Sequence, residues 1–346
     1  MVYNSTAWRC WASWALVAGA SAVLLGSLVL EAQRTLSAHY LLVDWRTYAA
    51  AFDRLAQGAS LYDPRQLHGP YDLPSVTLTG YAYPPVAALL FAPFASVPLG
   101  LATWIALNVG LVLAGLAAAI HSAFGRVRPE AVAFALIALS VFPPFREGVA
   151  VGNINVGFSG LLALAWASGR TAGWLGPVSG LAAALKVFPG SLVAWAGPGY
   201  RTRALLSATL VGAALVLVTL PLVGGAKSWE DWLTALGNAQ PACARWSNLL
   251  PSIACSLSPY VGSDVAKLLG GAVGATLALA ALLTNRTQLS LALLTAAWLA
   301  PVIDMDPYYL LTPFVVGLAL LFHRFGRASS RAVSPVPQEA EGDRGG

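Results

Sequence analysis

The chain has 346 residues, of which 57% are hydrophobic and only 10% are charged, whereas about a quarter of the residues in soluble domains are charged. Apolar runs separated by short polar breaks fill most of its length. This composition excludes a soluble enzyme, a secreted disulfide scaffold, a coiled coil and a disordered chain, and it indicates an integral membrane protein. The net charge of +5 reflects loop topology and not a nucleic-acid-binding surface, because Lys and Arg are enriched in cytoplasmic loops.

Membrane spans follow from length, since about 20 apolar residues are needed to cross the hydrocarbon core of a bilayer. Clear spans are predicted at residues 11–30, 101–120, 205–223, 261–283 and 307–322. Shorter or interrupted spans are predicted at residues 84–97, 129–142, 153–167, 173–197 and 289–303. The fold class is therefore an all-α integral membrane protein, a polytopic bundle of about ten transmembrane or re-entrant helices. The first span is longer than the apolar region of a signal peptide, so we expect it to remain as an anchor.

The positions of the arginines predict which loops lie in the cytoplasm. Arginines precede the first span, lie in short turns and follow the last span, at Arg9, Arg201, Arg203, Arg286, Arg324, Arg327 and Arg331. The positive-inside rule puts these positions in the cytoplasm, so segments 31–83 and 224–260 form outer loops. We predict one membrane domain over residues 1–323. A cytoplasmic tail over residues 324–346 is predicted to be disordered, because it ends in a polar stretch without apolar pattern.

The first outer loop contains a short segment with helical periodicity. Apolar or aromatic residues recur at positions 45, 48, 49, 52 and 55, which predicts an amphipathic helix along the outer membrane surface. Asp44 stands at the start of this helix. Its carboxylate could serve a site at the lipid boundary, or it could only cap the helix. The residues alone leave both roles open.

Several short motifs then follow one another in a fixed order. They are Asp44-Trp45-Arg46-Thr47-Tyr48, Leu61-Tyr62-Asp63, Tyr83-Pro84-Pro85, Gly152-Asn153-Ile154-Asn155, the run 180–189 around Lys186, and Arg245-Trp246-Ser247-Asn248. This ordered set resembles glycosyltransferase family 87, also called the DUF2029 group, whose members use polyprenyl-phosphate sugars and have the GT-C fold. The resemblance covers most of the chain up to Phe322. It departs from the family at Asn153, where Gln is usual, and at 304–307, where acids and Pro307 replace a His.

The resemblance implies roles for individual residues. An Asp just after the first transmembrane helix is taken as the catalytic base in this family, and the matching position is Asp44. A carboxylate can accept a proton from an attacking hydroxyl, while fixed cations meet the charge on the departing phosphate. Lys186 is the leading phosphate contact, because a lysine in an apolar run is costly unless it meets a partner or snorkels. Arg146 and Arg245 are further candidates; Arg146 could instead pair with Glu147, and Arg245 could order its loop.

A second set of residues is predicted to bind substrate. It comprises Arg46, Tyr48, Tyr83, Asn153, Asn155 and Asp306. Aromatic residues at these depths also form ordinary interfacial belts, and Asp306 could cap a last helix that begins at Pro307. Cys243 and Cys255 share the second outer loop, where a disulfide is possible outside the cytoplasm. The scattered histidines lack metal-ligand spacing, so we expect neither a metal nor a cofactor.

The predicted function is an inverting glycosyltransferase of the cell membrane with its site on the periplasmic or extracellular side. It would move a sugar, mannose by resemblance, from a polyprenyl-phosphate donor to a glycolipid or cell-envelope glycan. Arabinosyl transfer is an alternative, as is a non-catalytic partner in an envelope complex. A transporter or lipid flippase would need ionisable residues at mid-membrane depth, whereas the charges here gather at helix ends and in the outer loops. The expected partners are donor, acceptor and membrane lipids, without nucleic acid.

Overall fold

The structure is a computed structural model, which describes residues 5–72, 80–168, 173–186, 193–240, 253–284, 287–299 and 310–332. Within these ranges the chain is helical, apart from two-residue strands and short 3-10 turns. The α-helices are α1 (Ser5–Ser37), α2 (Val43–Ala56), α3 (Pro64–His68), α4 (Pro85–Ala95), α5 (Gly100–Phe124), α6 (Pro129–Val141), α7 (Pro143–Val151), α8 (Asn155–Ala167), α9 (Leu175–Leu185), α10 (Arg201–Thr219), α11 (Ala226–Asn238), α12 (Ile253–Val261), α13 (Ser263–Leu283), α14 (Thr287–Leu299) and α15 (Leu311–Ala332). The strands β1 (Tyr71–Asp72) and β2 (Ala239–Gln240) pair in parallel.

Four helices of the described chain are long and apolar enough to cross a membrane. Their spans are Trp11–Ser37, Gly100–Phe124, Arg201–Val223 and Ser263–Leu283. A fifth span results if α6 and α7, which are bent by 72°, count together. The other apolar helices, α4, α8, α9 and the part of α15 up to Gly326, are shorter. These helices confirm an all-helical membrane protein, whereas the count of about ten crossings stays a prediction.

The bend between α6 and α7 lies at a pair of prolines. Pro143 has no backbone N–H and disfavours helical geometry at the preceding residue, and Phe142 accordingly adopts φ −92 and ψ 103. Helix α7 then ends at Gly152, whose φ of 77 is a left-handed conformation that glycine adopts without strain. Residues 152–155, which we call the α7–α8 turn, lead directly into α8.

Helices α5 and α8 approach each other through glycines. A Cβ on Gly160 would lie 2.2 Å from the carbonyl carbon of Leu111 and 2.3 Å from the nitrogen of Val112. A Cβ on Gly115 would lie 2.4 Å from the carbonyl oxygen of Gly160. Small residues that let backbones touch are the usual means of joining helices in lipid. This contact fixes α8, and with it the α7–α8 turn, against α5.

Gly160→Ala is expected to destabilise the protein by about 1–3 kcal/mol, because the added methyl group meets backbone atoms that cannot rotate away. Thermal unfolding of the purified protein in detergent measures the effect. The control is Gly110→Ala on the exposed face of α5, where an added Cβ meets nothing within 4 Å and should leave the melting temperature unchanged or higher. Equal melting temperatures for the two variants would contradict the tight α5–α8 contact.

The two loop segments that the sequence assigns to one side of the membrane fold onto each other. Besides the β1–β2 pair, Asn238 Nδ2 donates to the carbonyl of Gln66 (2.9 Å) and the Tyr71 hydroxyl donates to the carbonyl of Ala235 (2.9 Å). We call the layer formed by α2, α3, β1, α11 and β2 the loop layer. Its helices α2 and α11 pack with α4, α5, α8 and α9 in one apolar cluster, so the two loops together pack against one part of the bundle.

Asp231→Ala is expected to loosen the loop layer. The Asp231 carboxylate is 6% exposed, accepts a hydrogen bond from Ser60 Oγ at 2.7 Å and pairs with Lys227 Nζ at 2.6 Å. Hydrogen bonds to a charged group are worth about 1.5–3 kcal/mol, so limited proteolysis should cleave the variant's loops several times faster. Glu230→Ala, at an exposed neighbouring position on α11, is the matched control. Identical cleavage rates would show that Asp231 does not join the loops.

Candidate active site

Asp44 lies where the start of α2 docks on the α7–α8 turn. The backbone N–H of Leu42 donates to the carbonyl of Ala150 at 3.0 Å, and Asn153 Nδ2 donates to Asp44 Oδ2 at 2.6 Å. Leu42, and not Asp44, occupies the N-cap position of α2. The predicted helix is present, but its first carboxylate points to a partner 109 residues away.

The α7–α8 turn is held from several directions. Trp104 Nε1 on α5 donates to the carbonyl of Gly152 at 2.9 Å, and a Cβ at Gly152 would come within 3.0 Å of the Trp45 Cβ. Asn153 and Asn155 are 2% and 1% exposed, and the Asn153 Oδ1 accepts a hydrogen bond from the backbone N–H of Asn155 at 2.8 Å. Of the two predicted asparagines, both buried, Asn153 bonds Asp44 directly, while the backbone of Asn155 bonds the Asn153 side chain.

The backbone N–H groups at the N-terminus of α8 already donate hydrogen bonds to protein side chains. The N–H of Ile154 donates to the Tyr48 hydroxyl at a long 3.4 Å, that of Asn155 donates to Asn153 Oδ1, and that of Gly157 donates to Asn108 Oδ1 at 2.8 Å. Exposed helix N-termini can bind anions through such N–H groups. In this structure these N–H groups donate to protein side chains.

Tyr48 lies one turn after Asp44 and links α2 to the loop at 80–84. Its hydroxyl donates to the Tyr83 hydroxyl at 3.0 Å, and its ring stacks on Phe91 with centroids 4.0 Å apart. Tyr48 is 1% exposed, whereas Tyr83 is only partly buried. Tyr83, unlike Tyr48, can therefore present part of its ring to a substrate.

Lys186 follows the last residue of α9 and meets the same aromatic group. Its Nζ lies 5.0 Å from the centroid of the Tyr83 ring, a cation–π distance. The Tyr62 hydroxyl donates to the Tyr83 carbonyl at 2.8 Å, and burial raises the pKa of Tyr62 well above its usual range, so this hydroxyl remains a donor. Lys186 thus contacts Tyr83, Tyr83 contacts Tyr48, and Tyr48 lies one turn after Asp44 on α2.

Two other predicted cations, Arg146 and Arg46, are described in the structure. Arg146 Nη2 lies 3.8 Å from Glu31 Oε2, while Glu147 lies 3.8 Å from Arg34. Both residues thus contact charged groups of α1, whereas the pairing of Arg146 with Glu147 stays a prediction. Arg46 is exposed on the first turn of α2.

Three predicted residues, Arg245, Asp306 and Cys243, fall outside the described part of the chain. Cys255 is 6% exposed and disulfide-bonded, and its pairing with Cys243 stays a prediction. Within the described ranges, no group of three or more His, Cys, Asp or Glu side chains is placed to hold a metal ion.

Trp104 is the functional neighbour that sequence analysis missed. It lies inside an apolar span and 48 residues from its hydrogen-bond acceptor, Gly152. Its indole also lies 6.2 Å from the Trp45 ring and 4.8 Å from the Phe91 ring, measured between centroids. A tryptophan in a span has no local signature that separates this role from lipid contact.

Comparison with known proteins now identifies the family. The model of glycosyltransferase family 87 matches residues 81–305, which is well over half of the chain. The chain belongs to glycosyltransferase family 87. The match includes Tyr83, Asn153 and Lys186, and it begins after Asp44. The motif resemblance in the sequence is therefore confirmed at the level of the family.

A curated relative gives a more specific likeness. It is a polyprenol-phosphate-mannose-dependent alpha-(1-2)-phosphatidylinositol pentamannoside mannosyltransferase of Mycolicibacterium smegmatis, 28% identical over 250 residues. The aligned region covers 69% of this chain and 58% of the relative, so the chain spans less than two thirds of the relative's length. No solved structure matches this chain.

Proposed function

We propose that this family 87 protein is an inverting glycosyltransferase of the cell membrane, and that it moves mannose from a polyprenyl-phosphate donor to a hydroxyl of a glycolipid or cell-envelope glycan. The observation that carries the proposal is the Asp44 carboxylate, held at 2.6 Å by Asn153 beside a group of aromatic residues that ends at Lys186. Family membership supports the class of reaction. The relative's dependence on polyprenol-phosphate-mannose supports the donor and favours mannose over arabinose.

The proposed reaction is a single displacement. The acceptor oxygen bonds to the anomeric carbon while the bond between that carbon and the phosphate oxygen breaks, and its electron pair leaves with the lipid phosphate. Asp44 takes the proton of the acceptor hydroxyl as the new bond forms. The Lys186 ammonium meets the charge that develops on the phosphate. Because the nucleophile attacks opposite the leaving group, the sugar changes its anomeric configuration.

The remaining predicted contacts complete this proposal. Arg46 is exposed two residues after Asp44, and we propose that it meets donor or acceptor from the membrane surface. Tyr83 offers a ring face for a sugar. Arg146, Arg245 and Asp306 are proposed as further substrate contacts, with Arg146 the weakest because Glu31 already lies 3.8 Å from its guanidinium. We also propose a GT-C-like bundle of about ten membrane helices, with the site on the periplasmic or extracellular side.

The test uses the full chain purified into liposomes with radiolabelled polyprenyl-phosphate-mannose and a lipid extract as acceptor. We expect label to move to the acceptor from this donor but not from a nucleotide-linked mannose, and the product to have the opposite anomeric configuration to the donor. Transfer only from the corresponding arabinose donor would show that the protein transfers arabinose and not mannose. Movement of solute or lipid across the liposome without any sugar transfer would overturn the enzyme proposal in favour of a transporter.

A further inference from the structure

We infer that Asn153 is a positioning residue for Asp44, and not a substrate contact: its side-chain amide orients the carboxylate and maintains it in the ionised form. This inference rests on the proposed function, in which Asp44 is the base. Asn153 is 2% exposed, which leaves almost no surface for a sugar. Its Nδ2 donates to Asp44 Oδ2 at 2.6 Å, and hydrogen bonds to an ionised acceptor are stronger than those between neutral groups.

The hydrogen-bond network fixes which end of the amide faces the carboxylate. Asn153 Oδ1 accepts from the backbone N–H of Asn155 at 2.8 Å, so the nitrogen must face Asp44. The reversed amide would set an oxygen against the carboxylate and an N–H against the Asn155 N–H, and both contacts would be repulsive. The amide therefore has one stable orientation, and that orientation presents a donor to Asp44.

Hydrogen bonds also fix the backbone of Gly152 and Asn153. The Asn153 N–H donates to the carbonyl of Gly148 at 2.8 Å, and Trp104 holds the carbonyl of Gly152. The carboxylate is therefore anchored to the α7–α8 turn by Asn153 as well as to α2 by its own backbone. Two anchors on different elements hold a reacting group in place more firmly than its own rotamer preference alone.

The same hydrogen bond has an electrostatic consequence. A donor to a carboxylate favours its charged form, so removing the donor makes the carboxylate easier to protonate. The base must be ionised to accept a proton, so activity would then be lost at a higher pH on the acidic side. In the described part of the chain, the titratable groups on the elements around Asp44 include Arg46 and Tyr48 on α2, Tyr83 and Lys186 beside Tyr48, and the paired Arg34 and Glu147. Substituting Asn153 changes none of them.

The experiment compares the pH dependence of sugar transfer for the wild type and Asn153→Leu, a change that keeps the side chain's shape but removes the donor. We expect kcat to fall by about 10- to 100-fold with little change in KM, and the acidic limb of the kcat profile to move up by about one pH unit. Asn153→Gln, which keeps the amide, should recover much of kcat and return the limb toward the wild-type position. Asn153→Ala, which also removes the donor, supplies the same readout if the Leu variant fails to accumulate.

Asn108→Leu is the matched control, because Asn108 is 6% exposed and its side chain binds α8 and not Asp44. It should lower the melting temperature without moving the acidic limb of the kcat profile.

If the Asn153 variants raise KM and leave that limb in place, Asn153 is a substrate contact. Asn153 would be only a structural residue if its variants, including Asn153→Gln, lost the same fraction of kcat at every pH and the acidic limb of the kcat profile did not move. If Asp44→Asn retains full activity, the proposed base itself fails; if only the Asn153 variants behave as wild type, this inference alone fails.

Discussion

Asp44→Asn is expected to lower the rate of sugar transfer by about 10²- to 10⁴-fold, the range that a general base supplies. The amide cannot accept a proton from the acceptor hydroxyl at neutral pH. Its carbonyl oxygen can still accept the hydrogen bond from Asn153, so the junction between α2 and the α7–α8 turn should remain intact. The variant therefore tests the loss of the base without also removing the hydrogen bond to Asn153, which a change to Ala would remove.

The measurement is initial-rate transfer from polyprenyl-phosphate-mannose in liposomes, together with a melting curve for each protein. Asp53→Asn provides the control, since Asp53 lies on the same helix but is exposed and should transfer sugar at the wild-type rate. We expect KM for the donor to change little in the Asp44 variant, because the phosphate is bound elsewhere. A folded Asp44 variant that transfers sugar normally would rule out this base.

Lys186→Met is the second change with a large expected effect, a loss of about 10²- to 10³-fold in kcat/KM. Methionine keeps much of the length and the apolar contact with Tyr83, but it removes the charge that would meet the departing phosphate. Lys186→Arg should retain part of the activity, because it keeps the charge with a different geometry. Donor titrations with each variant separate a binding defect from a defect in the chemical step.

The control for Lys186 is Lys267→Met on α13. Lys267 has a side-chain exposure of 17% and pairs with Asp264 at 3.5 Å, so it is another partly buried lysine with a partner. Its loss should leave transfer unchanged. If Lys186→Met and Lys267→Met both behave as wild type, the donor phosphate does not depend on Lys186, and Arg245 becomes the leading candidate.

The helices could be predicted largely from local patterns. Predicted spans 101–120, 205–223 and 261–283 fall within α5, the Arg201–Val223 span and the region of α12–α13, and the periodicity from residue 45 to 55 matches α2. Apolar length and helical spacing depend on near neighbours in the chain, so the sequence contains this information. The start of the last predicted span, at residue 307, lies outside the described residues, and the described helix α15 extends beyond its predicted end at 322 to Ala332.

The site required long-range information that no local pattern holds. The motif Gly152-Asn153-Ile154-Asn155 was recognisable, yet the sequence assigned Asn153 to substrate, whereas the structure pairs it with Asp44. The adjacent Glu147 is the partner that sequence suggests for Arg146, but no local pattern predicts that Glu31, 115 residues earlier in the chain, lies 3.8 Å from its guanidinium. Which side chains contact each other depends on the angles between the helices, and side-chain packing sets those angles.

The sequence by itself determined that this is a helical membrane protein, that it resembles family 87, and that an acid follows the first span. Only the tertiary structure decided that the two loop segments form one layer, that Lys186 lies over Tyr83, and that Asp44 is held by an amide 109 residues away. The physical reason is that helix formation and membrane insertion are governed by composition over about 20 residues. Contacts between distant side chains exist only after the helices have packed.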